Sequence, residues 1–268
     1  MADQGVIGQF GPWIISGIAL VQVWAIALIK KLRRASIDIY ESGNLEIGYS
    51  SFGPTAGLTG TLRAVNKDVF VKRMTVTITK LKDGSTHTFN WKAFRSNTIS
   101  LNPNDPVRFE IASSFLLTGD NPFKYNIFFV DESFAAEVAP RVTGLTAKWY
   151  EFRARRLKEL ESEFKDTFNL ILESPMIETT LYDEFFSGGA LTDSYTILDR
   201  ACYWEAANYR IVTAVEGAKP DKTFKKQMSF SLSEDDVRLL RLNSISILRS
   251  LCGFSERFNF AYPEYREG

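Results

Sequence analysis

Six carboxylates, Glu173, Glu178, Asp183, Glu184, Asp193 and Asp199, lie close together along the chain. Carboxylate oxygens are the hard ligands that magnesium takes. Two or more of Asp183, Glu184, Asp193 and Asp199 gathered in a pocket would hold a divalent cation and suit chemistry on phosphate-bearing or lipid substrates. Acidic residues also abound in loops and helix starts, where they only face water. Ser187-Gly188-Gly189 lies among them as a flexible turn, and one glycine pair is a thin basis for a phosphate cradle.

Nitrogen and sulfur ligands are scarce. His87 is the single histidine, and Cys202 and Cys252 are the two cysteines. Zinc and non-haem iron sites lean on imidazole, as do most acid–base mechanisms near neutral pH. No Cys, Asp or Glu stands at metal-ligand spacing beside His87, which reads as a partly exposed residue at a sheet end. The distant cysteines read as reduced, buried thiols rather than a disulfide framework. The chain contains no G-x-x-x-x-G-K-[ST], G-x-G-x-x-G, G-x-S-x-G or H-E-x-x-H motif. No catalytic constellation, metal site or cofactor is expected.

Aromatic residues point instead to contact. Tyr203 and Trp204 sit near Phe185, Phe186, Tyr195 and Tyr209, and the tail carries Phe258, Phe260, Tyr262 and Tyr265 around Pro263. Core packing is the first reading. The second is a protein-contact surface, because Tyr and Trp concentrate binding energy and an extended tail can dock on a partner. Tyr203, Trp204, Phe260 and Tyr262 are the candidate contacts. Lys+Arg and Asp+Glu are equal at 32 each. No global basic field favours nucleic acid, and no nucleic-acid partner is expected. The run Arg153, Arg155, Arg156 and Lys158, followed by Glu159, Glu161 and Glu163, suits a solvated helix face.

The elements that must hold these residues begin with residues 6–29, VIGQFGPWIISGIALVQVWAIALI, which carry no ionisable side chain. That length matches a hydrocarbon core of about 30 Å. Lys30, Lys31, Arg33 and Arg34 follow, and Trp13 lies near the start. The charge order predicts a single transmembrane anchor in the cell membrane, with the N-terminus outside and the body cytoplasmic. Trp13, Lys30, Lys31, Arg33 and Arg34 would mark the membrane interfaces.

Residues 36–131 read as short strands. Met74, Val76 and Ile78 alternate with Thr75, Thr77 and Thr79, and Asp83-Gly84 predicts a two-residue hairpin turn. His87, Phe89 and Trp91 share one face of the returning strand, and Gly53–Gly60 reads as a loop or bulge. Val107, Phe109 and Ile111 alternate as another strand. The expectation is an immunoglobulin-like β-sandwich.

Residues 132–268 change to helical spacing. A short turn ends at Pro140. A long amphipathic helix follows over about 142–172, its stripe including Leu145, Trp149, Phe152, Phe164 and Phe168. Strands are predicted over 209–215 and 224–232. A helix capped by Ser233 then runs to Cys252 and stops at Gly253. Val237, Leu240, Ile245, Leu248 and Cys252 should face inward. The expected order is an anchor at 6–29, a β-sandwich at 36–131 and an α+β domain at 132–268. The expected function is a membrane-anchored cytoplasmic binding or scaffold protein without catalytic activity. Its expected partners are the lipid bilayer and a protein, or a second copy of the chain. A carboxylate and divalent-metal enzyme at the membrane face is the alternative.

Overall fold

The computed structural model describes residues 33–50, 53–95, 109–174 and 176–267, together with Gln22 and Trp24. Its strands are β1 (Ser36–Ser50), β2 (Gly53–Val65), β3 (Val69–Lys80), β4 (Thr86–Arg95), β5 (Phe109–Ile111), β6 (Phe115–Leu117) and β7 (Phe123–Val130) in the first half. The second half adds β8 (Ala207–Lys219), β9 (Asp221–Leu232), β10 (Phe260–Ala261) and β11 (Tyr265–Glu267). In β3 the alternation decides the faces: Met74, Val76 and Ile78 are buried, while Thr75, Thr77 and Thr79 are half-buried. β8 follows the same rule with Tyr209, Ile211 and Val215.

All eleven strands join one antiparallel sheet in the order β10-β1-β2-β7-β4-β3-β8-β9-β11, with β5 on β4 and β6 on β3. The sheet curls into a half-barrel around the main core. Across its interior Thr213 of β8 donates to Glu41 of β1 at 2.8 Å. The tail spans the gap between the sheet's two edges, because β10 pairs with β1 and β11 pairs with β9. Covered edges cannot recruit stray strands from other molecules.

The helices are α1 (Glu132–Glu163), α2 (Phe168–Glu173), α3 (Ile177–Phe185), α4 (Leu191–Ala201), α5 (Glu234–Arg241) and α6 (Asn243–Leu251). They build a second core. Val138, Leu145 and Trp149 of α1 meet Leu181 and Phe185 of α3, Ile197 of α4 and Ile247 of α6.

Several expectations are corrected. The immunoglobulin-like β-sandwich followed by an α+β domain is replaced by the single curled sheet. β3 and β8, from opposite halves of the chain, pair from Phe70 to Lys80. Period-two patterning marks a half-buried strand, but the inner face of a curled sheet carries the same pattern as that of a sandwich.

The expected transmembrane anchor over 6–29 finds no support. Among the described residues no helix is long and apolar enough to cross a membrane. Of that segment only Gln22 and Trp24 are described, both helical and exposed, and Trp13, Lys30 and Lys31 lie outside the described residues. Arg33 and Arg34 are exposed just ahead of β1, and the Arg34 carbonyl accepts from Asn66 Nδ2 at 3.0 Å. The single-pass membrane placement with a cytoplasmic body is therefore withdrawn. An apolar run of spanning length is necessary for a membrane helix but not sufficient.

Gly53–Gly60 is strand rather than loop. A Cβ on Gly60 would lie 2.3 Å from the Tyr40 carbonyl oxygen and 2.6 Å from the Tyr125 hydroxyl, so the glycine serves close approach. The Asp83-Gly84 hairpin has a longer loop than the two residues expected: Lys80 N–H donates to the Ser85 carbonyl and Gly84 N–H to the Lys80 carbonyl, both at 2.9 Å. Gly84 takes φ +75° there. Phe109 and Ile111 are exposed, at 55% and 88%, so β5 has no buried face.

Pro140 lies inside α1 rather than before it. Its missing N–H falls on an exposed turn, where water can solvate the Ala136 carbonyl. The expected final helix breaks at Leu242 into α5 and α6, leaving Ile245 exposed at 60%. Its two ends are as expected. Ser233 and Asp236 form a reciprocal capping box, and Gly253 stops the chain at φ +87°.

Candidate functional site

Four chain segments converge on a cleft of about 580 Å³. They are the β3–β4 hairpin, the start of α1, the link from α4 to β8, and Arg241 at the end of α5. The sheet fixes His87, which pairs with Ile78 across the hairpin. Asp131 closes β7 and caps α1, its Oδ1 accepting from Ser133 N–H at 3.0 Å and Phe134 N–H at 3.4 Å. An acidic N-cap satisfies helix donors that have no partner within the helix, and it meets the positive end of the helix dipole.

The cap carboxylate has a second task. Its Oδ2 lies 3.4 Å from His87 Nδ1, and the Asp131 side chain is only 2% exposed. His87 lies flat on Tyr203, with ring centroids 3.8 Å apart and planes parallel. Trp204 packs beside Tyr203 at 4.9 Å and stacks over Phe89 at 6.2 Å. Burial alone would raise the Asp131 carboxyl, but hydrogen bonds from His87, Ser133 and the Phe134 backbone hold it below the usual carboxylate range.

Lys80 Nζ stands between Asp83 Oδ2 at 2.6 Å and Glu205 Oε2 at 3.1 Å. Hydrogen bonds to these carboxylates raise the lysine. The bond from Lys80, and then that from Ser85, hold Asp83 well below its ordinary range. Arg200 pairs with Glu137 at 3.4 Å. Burial pushes the Tyr203 hydroxyl well up, and the neighbouring Asp131 charge adds to this. The Trp204 indole nitrogen is buried without a hydrogen-bond partner. Cys202, a half-buried free thiol, also lines the cleft, and burial raises it.

Of the contacts expected from the sequence, Tyr203 and Trp204 come together in this cleft, with Trp204 only 4% exposed. Phe260 is half-buried in β10, its ring over Gly48 of β1, and Tyr262 is 58% exposed in the tail. The four therefore fall in two places. Of the carboxylates proposed for a metal, Glu184 and Asp193 line one open pocket together with Lys148 and Arg155, Asp199 lies in the cleft, and the pocket pair is held by cations. Glu184 pairs with Arg156 at 3.2 Å and Asp193 with Lys148 at 2.5 Å, while Glu178 pairs with Arg153. Among the described residues no three His, Cys, Asp or Glu side chains group as metal ligands. Sequence reasoning missed Asp131 as the partner of His87. An Asp directly before a helical pattern is a readable N-cap signal, but nothing local says that the cap faces the hairpin.

A different surface lies at the far end of the helical layer. α2, Phe-Asn-Leu-Ile-Leu-Glu, buries none of its residues. Leu170 is 68% exposed and Leu172 43%, with Phe164 at 46% and Met176 at 69% on either side. Ion pairs join α1 to α3 next to this segment: Arg153 with Glu178 and Arg156 with Glu184.

Searches against protein-family models, curated proteins and solved structures find no match for this chain.

Proposed function

We propose that this chain is a non-catalytic binding protein that holds a protein partner on the surface around α2. The observation that carries the reading is the run from Phe164 to Met176. It sets four large apolar side chains in water beside the α1–α3 ion pairs. An apolar centre with a charged rim is the anatomy of a protein interface, and monomers rarely leave such a cluster uncovered without a use for it.

The cleft chemistry supports the non-catalytic part of the reading. A general acid or base works best with its titration near the operating pH. The hydrogen bonds around Lys80 raise it, and those around Asp83 and Asp131 lower them. Lys80 and Asp83 are thus held in their charged forms, as a structural ion pair requires.

The test is co-purification of the full-length chain with its bound protein, beside a variant carrying Leu170→Glu and Met176→Glu. Both positions are exposed, so the fold should survive, which circular dichroism would check. A stoichiometric partner that the variant loses supports the reading. Equal capture by both proteins removes the α2 surface as the interface. Light scattering during size exclusion shows whether the partner is a second copy.

A further inference from the structure

The α2 surface is acidic as well as apolar. Residues 153–184, which carry it and its α1–α3 rim, hold eight carboxylates against five cations. Glu161 and Glu163 beside Phe164, and Glu173 beside Leu172, are exposed together with the apolar side chains they flank.

The opposite end of the molecule carries the reverse charge. The chain leaves the sheet at Val130 of β7 and returns at Ala207 of β8. Among the described residues only Tyr49 of the strands joins the helical core, so the helices lie beyond that end of the sheet. At the other end β1 begins, with Ser36 opposite Val65, and the β8–β9 turn closes, with Ala218 opposite Asp221. The β2–β3 turn and the β6–β7 link lie at the same level. Residues 33–38, 63–73, 114–124 and 216–222 form this end and hold nine cations against five carboxylates. One of the five, Glu216, is already paired with Arg73 at 2.8 Å. The whole chain is balanced at 32 of each sign, so the two ends reflect a separation of charge rather than an excess.

The basic end also has an apolar centre. Val69 and Val71 are buried, so Phe70 between them stands on the outer face of β3, 40% exposed. Its cross-strand neighbours are Leu116, 59% exposed, and Lys219. Lys72 is exposed on the same face two residues along.

We propose that the partner of the α2 surface is the basic sheet end of a second copy of the chain, in a head-to-tail contact; this rests on the reading of α2 as an interface. Leu170, Leu172 and Met176 of one copy cover Phe70 and Leu116 of the next, and the acidic rim meets the lysines. An apolar centre and a rim of complementary charge are what a specific contact requires, and the two ends of this molecule supply them to each other. A two-fold contact of α2 on α2 would set acidic rim against acidic rim. The body of the sheet separates the two ends, so one copy cannot satisfy both. A head-to-tail contact uses a different surface on each copy and grows into a ring or an open chain.

The test uses two full-length variants. Leu170→Glu with Met176→Glu breaks the α2 face, and Leu116→Glu with Lys219→Glu breaks the sheet end. All four positions are exposed, and circular dichroism with urea midpoints checks that both variants fold. Sedimentation over a concentration series at low salt is expected to show the wild-type mass rising with concentration. Each variant should associate at least about tenfold more weakly, and an equimolar mixture of the two should form a dimer and nothing larger, because each keeps the surface the other lacks. Raising the salt to about 0.5 M should weaken the wild-type association several-fold. The proposal is overturned if the wild-type chain stays monomeric, if salt leaves its association unchanged, if either variant associates as the wild type does, or if the mixture stays monomeric. Should a different protein be captured by the monomeric wild type and lost by the α2 variant, α2 remains an interface and only the second copy is excluded. Capture that neither variant changes removes both readings.

Discussion

The curled sheet and the helical layer are built from the same apolar residue types, but they finish differently. The sheet closes on itself: its interior side chains are almost wholly buried, and the tail covers both edges. The helical layer closes only at one end. Trp149 is 1% exposed on α1, whereas Phe164, where that helix stops, is 46% exposed. Continuing α1 beyond the α3–α4 packing leaves nothing in the described body for α2 to bury against. Stability should therefore concentrate in the sheet, and capacity for contact in the end of the helices.

The sharpest test of this contrast replaces one large side chain in each region. Phe129 is fully buried in β7, and Phe129→Ala should cost about 3–5 kcal/mol, because the rigid sheet cannot collapse around the void. Leu170→Ala should cost less than about 0.5 kcal/mol. Urea unfolding midpoints measure both. Similar costs at the two positions would mean that α2 belongs to the folding core, and the contrast would be lost.

The sequence made the local half of this picture readable. The alternation in β3, the strands β8 and β9, the capping box at Ser233 and the stop at Gly253 depend on neighbours a few residues away. Pairings across the chain left no such trace. β3 meeting β8, and Asp131 meeting His87, depend on how the sheet curls, which period-two patterning does not encode. The glycines of β2 misled for a related reason. Gly60 looks like a turn residue until the Tyr40 carbonyl and the Tyr125 hydroxyl are seen lying against it. The apolar run at 6–29 offered length and the charge order beside it, and neither says what surrounds the segment.

Asp131 joins the two regions, and its acid titration should show this. Its folded-state carboxyl is lowered, so the stabilisation is fully present above the unfolded value of about 4. It is lost as pH falls through the lower folded value. Asp131→Asn keeps a good N-cap and removes only the charge. Urea midpoints at neutral pH and at successively lower pH should show the wild-type protein losing stability faster than Asp131→Asn. At neutral pH the variant should be less stable by about 1.5–3 kcal/mol, the worth of a hydrogen bond to a charged group. Parallel pH curves would mean that the His87 contact contributes nothing in solution.

The smallest effect concerns the thiols, one in each setting. Cys252 is buried in the helical core at the end of α6, and burial pushes it up to about 12. Cys202 is half-buried at the cleft, with burial raising it and the Arg241 charge drawing it down in part. Thiolate is the reacting form, so both thiols should be slow towards a disulfide reagent at pH 8, with Cys202 the faster. Cys202→Ser should remove the faster phase without shifting the unfolding midpoint by more than about 1 kcal/mol. Cys252 should then react only at the rate at which the helical layer opens, which makes it a reporter for that region alone. If urea well below the unfolding midpoint speeds Cys252 while the buried sheet amides stay protected from hydrogen exchange, the helical layer opens before the sheet. Equal opening energies for thiol and amides would make the two regions one cooperative unit and confine their difference to the surface.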